Sequence, residues 1–448
     1  MTAFEVGVAL GFEDAFLPVW IILLGISAIA FIISKYDIMH PYVILMSTMT
    51  LSFTFALTKV SAWHLHFSVF AGIILITSLL AFGIGSFWSN WYINDNMPMI
   101  KRKILKKDKL APLKMRNIIF LIAIILMGIF MLLDFYDIHS AAEKLGNTNG
   151  YAGMIRTVRL AQEHGMAPPI SRWYSYRDIF ATSFTYFSLY VFFYNVLYIK
   201  DSLLKNIYYI SPLVFFVPIL ILSGGRLGLL SLVIFMITVA SFLYQKRHSF
   251  NLKSRKITIG VYVFSGLGFM LLFLGFGFFT GKVSLTGRDP FTIIVHYAGL
   301  SMPAFSSYLN STFLEISSIG NSTLWDITKK LNIIGFGLPE PTTFLTFVDF
   351  NGTNTNVYTA MRRYIDDYGF VGMYIIMAFL GMLYTAMYNF MRYKYTSNVF
   401  IILYAMICLP LYFSINDDMF FAKIIKTSML YQMVLIYLFS RFCMEKQQ

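Results

Sequence analysis

The sequence predicts an all-α, polytopic integral membrane protein with about 11 transmembrane helices, and three observations carry that prediction. Of 448 residues, 58% are hydrophobic and only 13% charged, with a mean hydropathy of +0.67. A soluble domain is ordinarily about one quarter charged, so the polar surface such a domain needs is missing. The apolar residues also gather in runs of about 17–24, the length a helix needs to cross a bilayer. A transmembrane barrel would instead alternate apolar and polar residues, and these runs do not. Finally, Lys and Arg are distributed unevenly among the connections, as the positive-inside rule requires.

The expected spans are 17–34, 41–59, 65–87, 117–136, 179–199, 206–222, 227–244, 257–279, 370–390, 399–415 and 424–440. Ahead of the first run stand Glu5, Glu13 and Asp14 with no Lys or Arg, the reverse of a signal peptide, so that run is expected to be retained as a helix. The 88–116 connection carries Lys101, Arg102, Lys103, Lys106, Lys107, Lys109, Lys114 and Arg116, which assigns it to the cytoplasm. Connections on that side then hold 20 bases and five acids, and the other side holds 15 bases and 17 acids. The expected topology is N-terminus out and C-terminus in. The net charge of +13 is therefore an orientation signal with contact to anionic lipid, and no nucleic-acid module accompanies it.

Three regions follow: 1–279, with eight spans and an outer loop at 137–178; a large outer loop, 280–369; and 370–448, with three spans. The large loop is rich in Tyr, Phe, Thr, Asn and Gly, a composition too apolar for disorder. Its first part, Phe291 to Leu309, is apolar enough to enter the membrane. Gly299, Pro303 and several serines there favour a re-entrant or interfacial segment over a twelfth span.

Four outer features carry candidate chemistry. Ser223-Gly224-Gly225-Arg226 is a tight corner that puts Arg226 at a helix start, where its charge and the free N–H groups suit an anion. The alternative is that Arg226 caps the carbonyls ending the preceding helix or snorkels to the interface, but an Arg at the membrane edge leans functional. Asn356 to Gly369 includes Tyr358, Arg362, Arg363, Tyr364, Asp366 and Asp367. On a helix, Arg362 shares a face with Asp366, and Arg363 with Asp367. Either these are two surface ion pairs, or an Arg binds phosphate bidentately while a carboxylate orients it or acts as base. Arg288 and His296 form the third feature; a lone His is more often structural than catalytic. The fourth is Arg156, Arg159, Arg172 and Arg177 with Trp173, Tyr174 and Tyr176, which suits an acidic glycan or an interface belt. Cys408 and Cys443 form no metal or redox spacing. No phosphate-binding loop, zinc-hydrolase or nucleophile-elbow motif is present, and no metal or cofactor is expected.

The Gly-Gly-Arg corner at Ser223 to Gly228 and the stretch Asn-Val-Tyr-Thr-x-x-Arg-x-Tyr-x-x-Asp-Tyr-Gly-x-x-Gly at Asn356 to Gly372 resemble Wzy-type oligosaccharide repeat unit polymerases. The likeness covers most of the chain in layout and, in motif, these two stretches together with His296 to Leu309. With Arg362 and Arg363 adjacent, the spacing to Tyr364 and Gly369 matches the family's loop arginine to Arg362. The resemblance implies a fold similar to O-antigen ligases and metal-independent glycosyl transfer, on the extracytoplasmic face of the bacterial inner membrane. The growing polysaccharide would pass from undecaprenyl diphosphate to a new lipid-linked repeat unit. It implies that Arg226 and Arg362, assisted by Arg363 or Arg288, bind the diphosphate. Asp366, Asp367, Glu340 and His296 are candidate bases, and Asn356, Tyr358, Tyr364, His296 and Arg172 candidate substrate contacts. Lipid-linked oligosaccharide would be both donor and acceptor, with membrane lipid, a chain-length regulator and a flippase as further partners. The rivals are an O-antigen-type ligase and a lipid-linked oligosaccharide flippase or transporter.

Overall fold

The structure, a computed structural model, describes residues 14–96, 111–147, 150–151, 153–163, 166, 170–279, 289–311, 319–393 and 397–445. The basic run Lys101 to Lys109 and Arg288 lie outside them. In chain order the principal helices are α1 (Phe16–Ile33), α2 (Pro41–Leu57), α3 (Val69–Asn96), α4 (Asn117–Lys144), α5 (Met154–Glu163), α6 (Trp173–Phe193), α7 (Pro212–Leu222), α8 (Arg226–Arg247) and α9 (Leu252–Phe279). There follow α10 (Pro290–Gly299), α11 (Ser301–Ser311), α12 (Trp325–Ile333), α13 (Met361–Tyr393), α14 (Asn398–Ile407), α15 (Leu409–Phe413) and α16 (Thr427–Leu438). Between α12 and α13 an antiparallel ribbon pairs β1 (Val348–Phe350) with β2 (Thr353–Thr355).

The protein is thus an all-α, multi-pass membrane protein: among the described residues, eight helices are long and apolar enough to cross a bilayer. The expected spans at 41–59, 399–415 and 424–440 are shorter helices. Two have local causes. Pro410 interrupts the chain between α14 and α15, and α16 gives way to a π-turn at Phe439–Cys443. The stretch 291–309 is no twelfth span. It forms α10 and α11, of 10 and 11 residues, about 15 Å each at 1.5 Å per residue.

The chain divides into two compact units, each discontinuous in sequence: residues 1–107, 289–396 and 407–426 in the first, and 108–288, 397–406 and 427–448 in the second. This partition follows packing and differs from the three-part division by loops.

In the first unit the central packing is α3 against α13. Hydrogen bonds join Thr77 to Tyr374 (2.9 Å), Ser86 to Thr385 (2.8 Å) and Asn90 to Asn389 (2.5 Å), so the two helices run parallel. A Cβ on Gly85 would lie 1.9 Å from the Ala378 carbonyl oxygen, and one on Gly381 would lie 2.0 Å from that of Phe82. Small residues let the backbones touch, and hydroxyls and amides cross the seam, as apolar surroundings favour. α1 and α2 are antiparallel, joined by Trp20 to Thr54 (3.0 Å) and Ser27 to Thr50 (2.7 Å). α10 starts where Asp289 accepts a bond from the Thr292 N–H (2.8 Å), with Pro290 at the first helical position. α13, 33 residues long, is bent at Gly369, whose φ of 65° suits glycine. Residues 370–393, after the bend, run about 36 Å and already cover the ~30 Å hydrocarbon layer, so the two turns ahead of Gly369 lie beyond it.

In the second unit, α6 stacks Tyr186 on Phe235 of α8 (4.2 Å between centroids), and Phe180 and Phe184 meet Phe439 edge-on. The Asn195 side chain bonds both backbone groups of Leu113, at 2.7 and 2.8 Å, and so ties the connection before α4 to the end of α6. Amphipathic α5 lays Met154 and Val158 against Ile138, Ala141 and Ala142 of α4 and Leu222 of α7.

Candidate functional site

In the first unit the functional candidates converge on the first two turns of α13. Arg362 is 8% exposed, and its guanidinium lies 3.8 Å from the Tyr358 ring centroid and 4.7 Å from that of Tyr308. One nitrogen, Nη2, donates to Thr346 Oγ1 (3.0 Å), and Nε stands 3.7 Å from Asp366 Oδ2, an ion-pair distance too long for a hydrogen bond. Nε and Nη1 are buried with no hydrogen-bond partner. Tyr308, on α11, also donates to Asp366 Oδ1 (2.5 Å). Tyr358 donates to the Thr346 carbonyl (2.8 Å), so both aromatic walls of the arginine slot are fixed by their hydroxyls.

Arg363, one residue on, is in the opposite condition. It grips Asp417 with Nε (2.6 Å) and Nη2 (3.1 Å), and Nη1 donates to the Ser322 and Thr342 carbonyls (3.0 Å each). A further bond runs from Nη2 to the Thr343 carbonyl (3.3 Å). The expected pairing of Arg363 with Asp367 does not form. Asp367 instead accepts from the Ser322 and Thr323 N–H groups (2.9 and 2.7 Å) and from the Thr323 hydroxyl (2.7 Å). Both side chains are buried, so the surface-pair reading fails too. The helical spacing is right, but the face that carries Arg363 and Asp367 is covered by 322–323, 342–343 and 417. Their groups are nearer and better aligned than a residue one turn along. Together these bonds strap the 320s and 340s onto α13.

Tyr364 points elsewhere, donating to Asp418 Oδ1 (2.9 Å). Asp418 is fully buried; Oδ1 also accepts from the Phe420 N–H (3.0 Å), and Oδ2 has no hydrogen-bond partner. Burial pushes this carboxyl up to about 7, against the opposing pull of the Tyr364 hydrogen bond. It lines a small cavity (≈ 30 Å³) with Tyr364, Tyr384 and Ser414. Asn356 is half-buried in the extended approach to α13, and Glu340 is exposed. His296 is half-buried on α10, its ring edge-on to Tyr297 (5.3 Å).

Arg226 and Arg172 belong to the second unit. At the corner, Gly224 takes a φ of +65°, and its carbonyl accepts from Arg159 Nη1 (3.3 Å). Gly225 supplies no side-chain cap to α8, so the first-turn N–H groups of that helix have no such partner. The Arg226 guanidinium stacks over Phe273 (4.3 Å), which offsets the adverse placement of a cation at a helix N-terminus. In the fourth cluster Arg177 is committed to Asp134 (2.6 Å) and Asp137, whereas Arg156 and Arg172 are exposed.

Tyr308, Thr346, Asp417 and Ser322 were missed as partners by the sequence reading. Their only sequence signal is that Arg362, Arg363, Tyr364, Asp366 and Asp367 put bulky or charged groups on several faces of the first two turns of α13, which therefore need cover all round. Among the described residues no cluster of three or more His, Cys, Asp or Glu is arranged to hold a metal ion. Comparison of the chain with family models, curated proteins and solved structures finds no match.

Proposed function

We propose that the chain is a membrane glycosyltransferase, a Wzy-type polymerase of polysaccharide repeat units that works at the extracytoplasmic face of the bacterial inner membrane. Arg362 carries the proposal. A buried guanidinium with two unsatisfied donors is costly unless an anion completes it, and unpaired buried donors are rare without such a reason. The lipid diphosphate that leaves as the donor's glycosidic bond breaks is an anion of that kind.

In the proposed reaction an acceptor sugar hydroxyl oxygen attacks the anomeric carbon of the polymer on undecaprenyl diphosphate. The new glycosidic C–O bond forms as the bond to the diphosphate breaks. Arg362 Nε and Nη1 receive the growing negative charge of the leaving phosphate, in a slot where the tyrosine walls exclude water. Asp366, steadied by the Tyr308 hydroxyl, takes the proton lost by the attacking hydroxyl. Arg363 and Asp367, assigned to catalysis from their positions, act here as fasteners that hold the loop closed over α13. The uncapped start of α8 and Arg226 form a second anion corner for a lipid diphosphate. The parallel run of α3 and α13 fits the expected span order, in which the third and ninth of eleven spans run in the same direction.

The test is a product gel. Purified protein receives its undecaprenyl-diphosphate repeat unit in EDTA, beside Arg362→Ala and Arg226→Ala. A ladder of lipid-linked oligomers that Arg362→Ala loses is expected. Polymer on another acceptor would identify a ligase, and transfer of intact substrate across liposome membranes without a ladder would identify a transporter.

A further inference from the structure

We infer that the loop from Asn332 to Leu338 is a preformed apolar finger that inserts into the lipid leaflet at its end of the first unit. Ile333, Ile334 and Phe336 are 79%, 74% and 65% exposed, large apolar side chains at three of four successive positions on a segment outside every long apolar helix. A water-facing loop rarely concentrates such surface.

The loop is built rather than slack. Asn332 closes it by accepting from the Leu338 N–H (2.6 Å) and donating to the Leu338 carbonyl (2.9 Å). Inside, the Gly335 N–H bonds the Asn332 carbonyl (3.0 Å) and the Phe336 N–H that of Leu331 (3.1 Å). Gly335 and Gly337, with φ of 100° and 64°, make the reversal. These bonds satisfy the Gly335, Phe336 and Leu338 N–H groups, leaving the remaining backbone groups of the tip to the headgroup level, where water and lipid polar groups can meet them.

Its height fits a lipid surface. Ser322 and Thr323, just ahead of α12, are bonded to Asp367 on the second turn of α13, the part that extends past the hydrocarbon. Trp325, at the start of α12, sits under Lys426 (5.4 Å), the residue before α16. Tryptophan and lysine at that level are interface residues. α12 presents Lys329 and Lys330 one turn before the apolar tip, Lys330 also pairing with Asp326 (2.5 Å). Cations beside an aromatic and aliphatic tip match the anionic headgroups and acyl chains of one leaflet. The nearby acid, Glu340, follows Pro339 outside the closing bonds.

The experiment uses the full chain in nanodiscs of phosphatidylglycerol and phosphatidylcholine, with an environment-sensitive fluorophore on Ile334→Cys or Phe336→Cys. Cys408 and Cys443, both buried, are replaced by Ser. Exposed Asn354→Cys, on β2, gives the reference signal. Lipids bearing a nitroxide on the acyl chain should quench the tip labels several-fold more strongly than aqueous iodide does. Lys329→Glu with Lys330→Glu should weaken that lipid quenching in the anionic discs. Quenching by iodide alone would overturn the proposal by placing the tip in water. Access by neither quencher would overturn it by showing a protein surface, from a second copy or a partner, over the tip.

Discussion

Arg362 and Arg363 are adjacent in sequence and opposite in circumstance, so replacing each by Met separates a ligand site from a fastener. Arg362→Met removes two buried donors that lack partners, each costing about 1–3 kcal/mol, and forfeits one hydrogen bond to Thr346 worth about 1.5–3 kcal/mol. It also gives up cation–π contacts with Tyr308 and Tyr358 of about 0.5–2 kcal/mol each, part of which a thioether recovers. Gains and losses are of similar size, the loss of the ion pair to Asp366 included, so folding stability should fall by far less than on replacing Arg363. Arg363→Met instead leaves Asp417 without its bidentate partner and three backbone carbonyls without a donor, at about 3–5 kcal/mol. Thermal unfolding in detergent should therefore show Arg362→Met near wild type and Arg363→Met markedly lower or poorly accumulated. On the product gel Arg362→Met should fall about 10²–10³-fold, the loss expected when transition-state charge loses its donors. If Arg362→Met melted as low as Arg363→Met, or still polymerised, the unsatisfied donors would not be a ligand site.

Arg226→Lys should lose most polymerisation while insertion and abundance persist, because Lys offers a point charge where planar paired donors are needed; a fully active Lys variant counts against diphosphate binding at the corner. Gly381→Val should drive a side chain into the Phe82 carbonyl and cost at least about 1–3 kcal/mol, read as lower yield and melting temperature. Asp418 makes stability depend on pH. Its folded carboxyl titrates at about 7 against 3.8 for the free side chain, so between those values the folded protein holds a proton that the unfolded chain has released. Stability should then fall as pH rises through that window and level off above it, and Asp418→Asn should flatten the melting-temperature profile over pH 4–8.

The spans were legible because hydrocarbon thickness writes itself into run length, and eight reappear as long apolar helices. The exceptions at 399–415 and 424–440 are short for local backbone reasons that hydropathy does not register: Pro410 in one and a π-turn in the other. At the candidate site, the sequence supplied the residues but misassigned half of their pairing. Arg362 did find Asp366 at i,i+4, whereas Arg363 reached Asp417, 54 positions away, and Asp366 met Tyr308, 58 positions away. Helical spacing states which residues share a face, and says nothing of what covers it.

That distinction explains why the two arginines diverge. Gly369 bends α13 just after this segment, so the two turns before it need not follow the line of the spanning part. They are wrapped by loop segments on the Arg363 and Asp367 side, where both side chains are committed to holding the loop. Only the Arg362 side is walled by rings, which attract the cation without using up its N–H groups. Aromatic walls hold a guanidinium in place and leave its donors for an incoming anion; carbonyl and carboxylate walls hold it by consuming them. The same amino acid, at consecutive positions, is thereby fixed as structure in one case and kept available for chemistry in the other.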